Sequence, residues 1–192
     1  MQADYSVELG RDDETLDFPW VGHEGGLRYY DLKRHPEQLS HMEEAVRFPE
    51  LGEFLGVINS PSGSLESAKC DAWSSAEINP EEEIFEMPWK FGSYVDLLFT
   101  DAAARFSFEE YEEFLKKMVA LLGRAPEIPA SAEFLLRRCY FREQANLREG
   151  FYITFYLFGY GEDEIKARLQ WAIALKLAGN ALAQTYFRNP AL

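Results

Sequence analysis

The chain has 192 residues, 47% of them hydrophobic and 15% aromatic, which is enough apolar material to bury a core and excludes a disordered chain. Its formal net charge of -14 repels phosphate backbones and anionic lipid heads, and no Lys/Arg run exceeds two residues, so neither a nucleic-acid nor a membrane partner is expected. Two cysteines outside any CxxC pair and three histidines make no zinc framework. With no signal-peptide pattern and no apolar run near the ~20 residues that span a bilayer, a cytoplasmic protein with free, buried thiols, no metal and no cofactor is expected.

The first alternating stretch, "DYSVEL" (4–9), reads as a strand. The acidic loop "DDETLD" (12–17) follows and ends in Pro19–Trp20, whose indole is suited to anchor the loop by burial. "GLRYYDLK" (26–33) reads as the returning strand of a hairpin, after the Gly-rich "VGHEGG" that holds His23. In "HPEQLSHMEEAVRFPELGEFLGVI" (35–58) Pro36 fits a first helical turn, and Pro49 must break the helix, which predicts two short helices split at Phe48.

A second unit follows the linker "NSPSGS" (59–64). Its strands are "ESAKCDAWSSAEI" (66–78) and "GSYVDLLF" (92–99), around the acidic loop "EEEIFE" (81–86). The best-specified helix lies in 106–123: Ser107 and Glu110 form a capping box, and Tyr111, Phe114, Leu115, Met118, Leu121 and Leu122 share a face. Gly123 stops it. After "RAPEIPAS" (124–131) the third unit pairs "AEFLLRRCYFRE" (132–143) with "GFYITFYL" (150–157). A long helix over 161–187 carries two apolar stripes, Ile165, Leu169, Ala172, Ile173 and Trp171, Leu175, Ala178, Leu182. Two stripes predict cover on two sides, the second by another helix or a second subunit.

"SVELGRDDETLDFPW" (6–20) matches "SAEINPEEEIFEMPW" (75–89) without a gap: Ser6, Glu8, Glu14, Pro19 and Trp20 recur as Ser75, Glu77, Glu83, Pro88 and Trp89. Tyr29 and Asp31 then correspond to Tyr94 and Asp96, and more weakly to Tyr152 and Thr154. This predicts an internal duplication. The expected architecture is a single α+β domain, 1–192, of three ββα units (about 1–64, 65–130 and 131–192). Together they form a six-stranded, mostly antiparallel sheet with helices packed on one face.

Alternation sorts the strands into two faces. Val7, Leu9, Ala68, Cys70, Ala72, Val95, Leu97, Phe99, Leu135, Cys139, Phe141, Ile153, Phe155 and Leu157 are assigned to the helix side. Tyr29, Asp31, Asp71, Trp73, Tyr94, Asp96, Arg138, Tyr140, Arg142, Tyr152 and Tyr156, with Lys69, Thr154 and Phe158, are assigned to an open face. Tyr, Trp and Arg in such number are the side chains enriched at binding hot spots. The leading expectation is therefore a non-catalytic binding protein that holds a partner protein or a second copy of itself on this face. The alternative is a small-molecule-binding enzyme with hydrolase-like acid/base chemistry from Asp31, Asp71, Asp96 and Arg138, with His23 nearby. No Ser-His-Asp, Cys-His or P-loop pattern supports the alternative, and the acidic loops lack the spacing of a calcium site.

Overall fold

The computed structural model describes residues 1–22, 29–77, 85–143 and 146–186. Most strands form where period-two alternation and aromatic content place them, but residues 29–33 form none, and Thr15–Phe18, expected to be acidic loop, does. In chain order the elements are β1 (Gln2–Glu8), β2 (Thr15–Phe18), a 3-10 turn at Pro36–His41, α1 (Glu43–Arg47) and α2 (Pro49–Ile58). Then come β3 (Leu65–Ser75), β4 (Trp89–Phe99), a 3-10 turn at Ala104–Phe106, α3 (Phe108–Leu122), β5 (Ala130–Glu143), β6 (Asn146–Gly161) and α4 (Glu164–Tyr186). The six strands make a mixed, mostly antiparallel open sheet in the order β1-β5-β6-β4-β3, with β2 also on β5.

Two of the three expected hairpins form, β3–β4 and β5–β6, and β4 pairs antiparallel with β6 between them. The first hairpin does not form. Residues 29–33 are no strand, and β1 and β2 instead run parallel to β5, beside Ser131–Arg137 and Arg138–Phe141 respectively. Glu8 and Thr15 therefore stand beside the consecutive residues Arg137 and Arg138, so β1 and β2 are one edge strand interrupted by residues 9–14. Alternation identifies a strand without naming its partner, and a parallel partner lies far away in sequence. The sheet is thus not three ββα units. Among the described residues the match of 6–20 with 75–89 is not accompanied by a shared element, and a duplication is not shown: the first copy lies along the β1–β2 edge, Ser75 ends β3 and Trp89 opens β4. Residues 78–84, most of the second acidic loop, lie outside the described residues.

The helices follow their local signals. Phe48 closes α1 and Pro49 opens α2, since proline fits only a first helical turn. The buried Phe48 ring then packs edge-on to Phe91 and Trp171, with centroids 5.4 and 6.3 Å away. Ser107 caps α3, its Oγ accepting from the Glu110 backbone N–H at 3.3 Å. Replacing a capping hydroxyl costs about 1 kcal/mol. Ser107→Ala is expected to lower the unfolding free energy by that amount, seen as a urea midpoint lower by about 0.3–1 M at unchanged m-value; an unchanged midpoint would show that water replaces the cap.

The main core lies between the sheet and α2, α3 and α4, where Leu51, Leu55, Tyr111, Leu115 and Trp171 meet Val95, Leu97, Phe134, Leu136 and Phe155. The close seat of α4 on β6 requires Gly159: a Cβ there would stand 2.1 Å from the Trp171 backbone nitrogen. The Trp171 indole N–H donates to Ser93 Oγ at 2.8 Å, so the buried indole is satisfied. On β5 the helix-facing set is Phe134 and Leu136. Leu135 has the opposite parity, and Cys139 and Phe141 join a second, smaller core on the other side of the sheet with Leu16, Phe18, Ala68, Leu98 and Tyr152. The assignment of Ala68, Leu135, Cys139 and Phe141 to the helix face is therefore corrected. β5 lies between strands and is apolar at both parities, so alternation alone cannot orient it.

Candidate functional site

The sheet face turned away from the helices divides into a covered end and an open end. Trp20, Tyr29 and Phe106 pack over the covered end. Tyr29 meets Phe18 edge-on at 4.7 Å, and its hydroxyl donates to Glu66 Oε2 at 2.9 Å. Burial, then the Glu66 carboxylate, push the Tyr29 phenol far above its ordinary range. Arg105 pairs with the same carboxylate, donates to the Phe99 carbonyl at 2.6 Å and lies over the Phe141 ring.

The outer strand β3 is shielded here as well. Lys33 Nζ donates to the Gly63 and Leu65 carbonyls at 2.7 and 2.8 Å, Asn59 Oδ1 accepts from the Ser67 N–H, and the Trp20 indole donates to the Ala68 carbonyl at 2.8 Å. Side chains thus occupy backbone groups that would otherwise template another strand. The expectation that Trp20 anchors its loop agrees with this contact. β3 also slips by one residue between Ser67 and Cys70, a bulge that brings Ala68 onto the far face.

At the open end four half-exposed rings form a connected platform. Trp73 lies 6.5 Å from Tyr94 and 6.2 Å from Phe158, Tyr94 lies 6.0 Å from Tyr156, and Tyr156 stacks on Phe158 at 6.1 Å. Cross-strand pairing creates it: Tyr94 on β4 stands between Asp71 on β3 and Tyr156 on β6. Gly92 leaves the room, since a Cβ would come within 2.8 Å of the Phe158 ring. Lysines already sit on aromatic rings of this face, Lys90 over Phe158 at 5.5 Å and Lys69 over Trp20 at 5.4 Å.

A buried polar chain runs beneath the platform. Arg137 bonds Glu8 at 2.7 Å, Glu14 at 2.9 Å and Thr154 Oγ1 at 3.3 Å, and Thr154 donates to Asp96 Oδ1 at 2.8 Å. Asp96 is 5% exposed. Burial lifts its carboxyl to about 7, against the Thr154 hydrogen bond and the Lys69 ammonium, which pull it down. Burial also raises the Tyr94 and Tyr152 phenols, with the Asp96 charge adding to both.

Not all of the expected site residues meet. Asp71, Trp73, Tyr94, Asp96 and Tyr156 share the open end, with Asp96 as floor. Tyr152 has the same parity but is buried in the second core, and Tyr29 covers that core from outside the sheet. Asp31 lies in a turn, where it accepts from the Arg34 backbone N–H at 3.0 Å. Arg138, Tyr140 and Arg142 alternate with Arg137, Cys139 and Phe141 and so project to the other side; Arg138 donates to the Gly10 carbonyl at 3.2 Å. The assignment of Asp31, Arg138, Tyr140 and Arg142 to the open face is corrected. Arg137, Glu8 and Glu14 were missed. The adjacent pair Arg137–Arg138 shows that one arginine faces each way, and only the parity of β5 says which. His23 lies outside the described residues.

A pocket of about 300 Å³ adjoins the platform, lined by Trp20, Tyr30, Met42, Glu44, Lys69 and Asp71 among others. Cys70 also lines it, its thiol pushed up to about 12 by burial and then by the Glu44 and Asp71 charges, which makes it a poor nucleophile. Among the described residues no cluster of His, Cys, Asp or Glu could hold a metal ion, and no helix is long and apolar enough to cross a membrane. No protein-family model matches the chain, and no match is found among curated proteins or solved structures. The fold and this face therefore define the protein at the level of an α+β chain with an aromatic platform over a buried Asp–Thr–Arg chain.

Proposed function

We propose that the chain is a non-catalytic cytoplasmic binding protein that holds a basic segment of a partner protein on the open end of its sheet. The carrying observation is the platform of Trp73, Tyr94, Tyr156 and Phe158, four half-buried rings connected by mutual contacts. Large rings with few rotatable bonds bind at low entropic cost. The net charge of -14 and the exposed Asp71 beside Tyr94 favour a cationic partner. The lysines seated on Phe158 and Trp20 are internal examples of the contact such a partner would make. Two free thiols accord with a reducing compartment.

A displayed peptide library selected against the protein tests this. Recovered peptides should be rich in Lys and Arg. Tyr94→Ala combined with Tyr156→Ala should weaken them at least tenfold, or about 1.4 kcal/mol, while circular dichroism stays unchanged. Peptides that are not basic, or that bind both proteins alike, would refute the assignment of this surface. One observation favours the alternative of acid/base chemistry: the Asp96 carboxyl at about 7, close to Arg137 and Thr154. Against it, Asp96 is nearly inaccessible, and Asp31 and Arg138 lie elsewhere.

A further inference from the structure

The pocket of about 300 Å³ beside the platform lies against β3, the last strand of the sheet, where α1 and the segment 30–32 approach it. Met42 and the rings of Trp20, Tyr30 and Tyr94 give it apolar walls, and two carboxylates from different elements enter it, Glu44 of α1 and Asp71 of β3. No described residue pairs with the Glu44 carboxylate, and that of Asp71 accepts from the adjacent Ala72 N–H at 2.7 Å. The one ammonium in the lining, Lys69, pairs with neither and stands over the Trp20 ring, 5.4 Å from its centroid. Two negative charges thus face one positive. The Cys70 thiol in the wall registers this field: after burial, the Glu44 and Asp71 charges are what raise it.

This lining says what enters. A half-buried carboxylate without a partner, among apolar walls, is stabilised by a cation that brings its own N–H donors. An anion meets net negative charge, and an apolar group would leave Glu44 unpaired and drier than before. Lysine and arginine carry both halves of the match, a long apolar stem for Met42 and the rings and a charged head with several donors for the carboxylates. The aromatic faces attract the same charge. The pocket is also continuous with the platform. Tyr94 lines it and contacts Trp73 and Tyr156, and Asp71 stands opposite Tyr94 in the β3–β4 register. A chain laid across Tyr94 therefore passes beside the pocket.

We infer that this pocket receives one lysine or arginine side chain of the basic segment held on the platform, with Glu44 and Asp71 as its counter-charges. The inference rests on the proposed function for its partner and adds the place where that partner must carry a cation. Lys69 is then a resident competitor: its charge weakens the site, and its seat on Trp20 is one that the entering side chain shares or takes over.

NMR titration of the intact chain with Nα-acetyl-lysine amide and with Nα-acetyl-arginine amide tests the pocket without any partner. The reporter is the Trp20 indole N–H, which donates to the Ala68 carbonyl at the pocket wall and whose resonance Trp20→Phe identifies. A saturable shift with a dissociation constant on the order of 1–10 mM is expected, and the probe that gives it names the side chain. Nα-acetyl-norleucine amide, which keeps the stem without the charge, should bind roughly tenfold more weakly. Glu44→Gln should weaken the cationic probe about threefold, and Lys69→Met should tighten it by about as much. If Lys69→Met fails to fold, Glu44→Gln decides alone. No saturable shift from either cation, equal binding of the norleucine probe, or indifference to Glu44→Gln overturns the inference. The selected peptides separate it from the platform reading. Peptides that need Tyr94 and Tyr156 but ignore Glu44→Gln refute the pocket and leave the platform. Peptides that are not basic, alongside probes that bind, refute the partner and leave the cation pocket.

Discussion

Arg137→Met is expected to destabilise the protein by about 2–3 kcal/mol, whereas Arg138→Met should change stability by about 0.5 kcal/mol. The Arg137 side chain is 10% exposed and bonds Glu8, Glu14 and Thr154. Methionine keeps the length of the stem, so what is lost is the charge and its hydrogen bonds. Removing one partner of a buried ion pair typically costs about 3–5 kcal/mol, because it leaves the other charge unpaired. Here Glu8 and Glu14 are themselves 36% and 64% exposed and can turn to water, so the lower figure applies. Among the described residues the Arg138 side chain donates to the Gly10 carbonyl, an exposed hydrogen bond that water replaces cheaply. For a chain of this size about 2–3 kcal/mol corresponds to roughly 5–10 °C in Tm. Thermal unfolding of the two variants side by side is the check. Equal shifts, or a larger shift at Arg138, would show that β5 has been assigned the wrong parity. Because Arg137 also ties β5 to the β1–β2 edge, its loss should expose the amides of residues 2–8 to hydrogen exchange before those of β6.

Asp96→Asn is expected to stabilise the protein at pH 8 and to leave it nearly unchanged near pH 4. The Asp96 carboxyl is raised from 3.8 to about 7 in the folded chain. Between those values the native state holds a proton that the unfolded state has released. Stability therefore falls as pH rises through this window, by about 1.4 kcal/mol per pH unit, and levels off above about 7. The total is at most on the order of 4 kcal/mol, an upper bound because the surroundings relax when the group ionises. Asparagine cannot ionise, and its carbonyl oxygen still accepts the Thr154 hydroxyl, so the cost is removed and the hydrogen bond kept. Urea unfolding at pH 5, 6, 7 and 8 should show the gap between the two proteins widening with pH. A constant gap would mean that Asp96 is ionised throughout and that Arg137 and Lys69 hold it so. The same titration bears on binding: above about pH 7 the floor of the platform carries a negative charge, which should strengthen a cationic partner's hold.

The site was legible in proportion to how local its signals were. Asp71, Trp73, Tyr94, Asp96 and Tyr156 were found because β4, β6 and the part of β3 beyond its bulge, Cys70–Ser75, pair in simple antiparallel register. Arg138, Tyr140 and Arg142 were misplaced together, since a one-residue error of parity moves every side chain of a strand to the other face. In "FLLRRCYF" apolar and charged residues each occur side by side, so either phase yields a plausible core. Glu8 and Glu14 were missed because their partner is more than 120 residues away, across a parallel pairing that no hairpin signal announces.

By itself the amino-acid sequence determined what depends on neighbours along the chain. That includes β1, the β3–β4 and β5–β6 hairpins, the break at Pro49, the Ser107 cap and the amphipathic face of α3, but not α4, where cover was expected on both stripes and only that of Trp171, Leu175, Ala178 and Leu182 is buried. These follow from backbone periodicity, ring geometry at proline and the unsatisfied N–H groups of a helix start. Only the tertiary structure decided that β1 and β2 lie parallel on β5 and that β5 turns Arg137 to the platform. It also decided that Tyr29 and Trp20 close one end of the face while Trp73, Tyr94, Tyr156 and Phe158 stay open. Each of these depends on which distant segment supplies the missing hydrogen bonds and apolar contacts. That choice is made by the packing of the whole chain, and no local period records it.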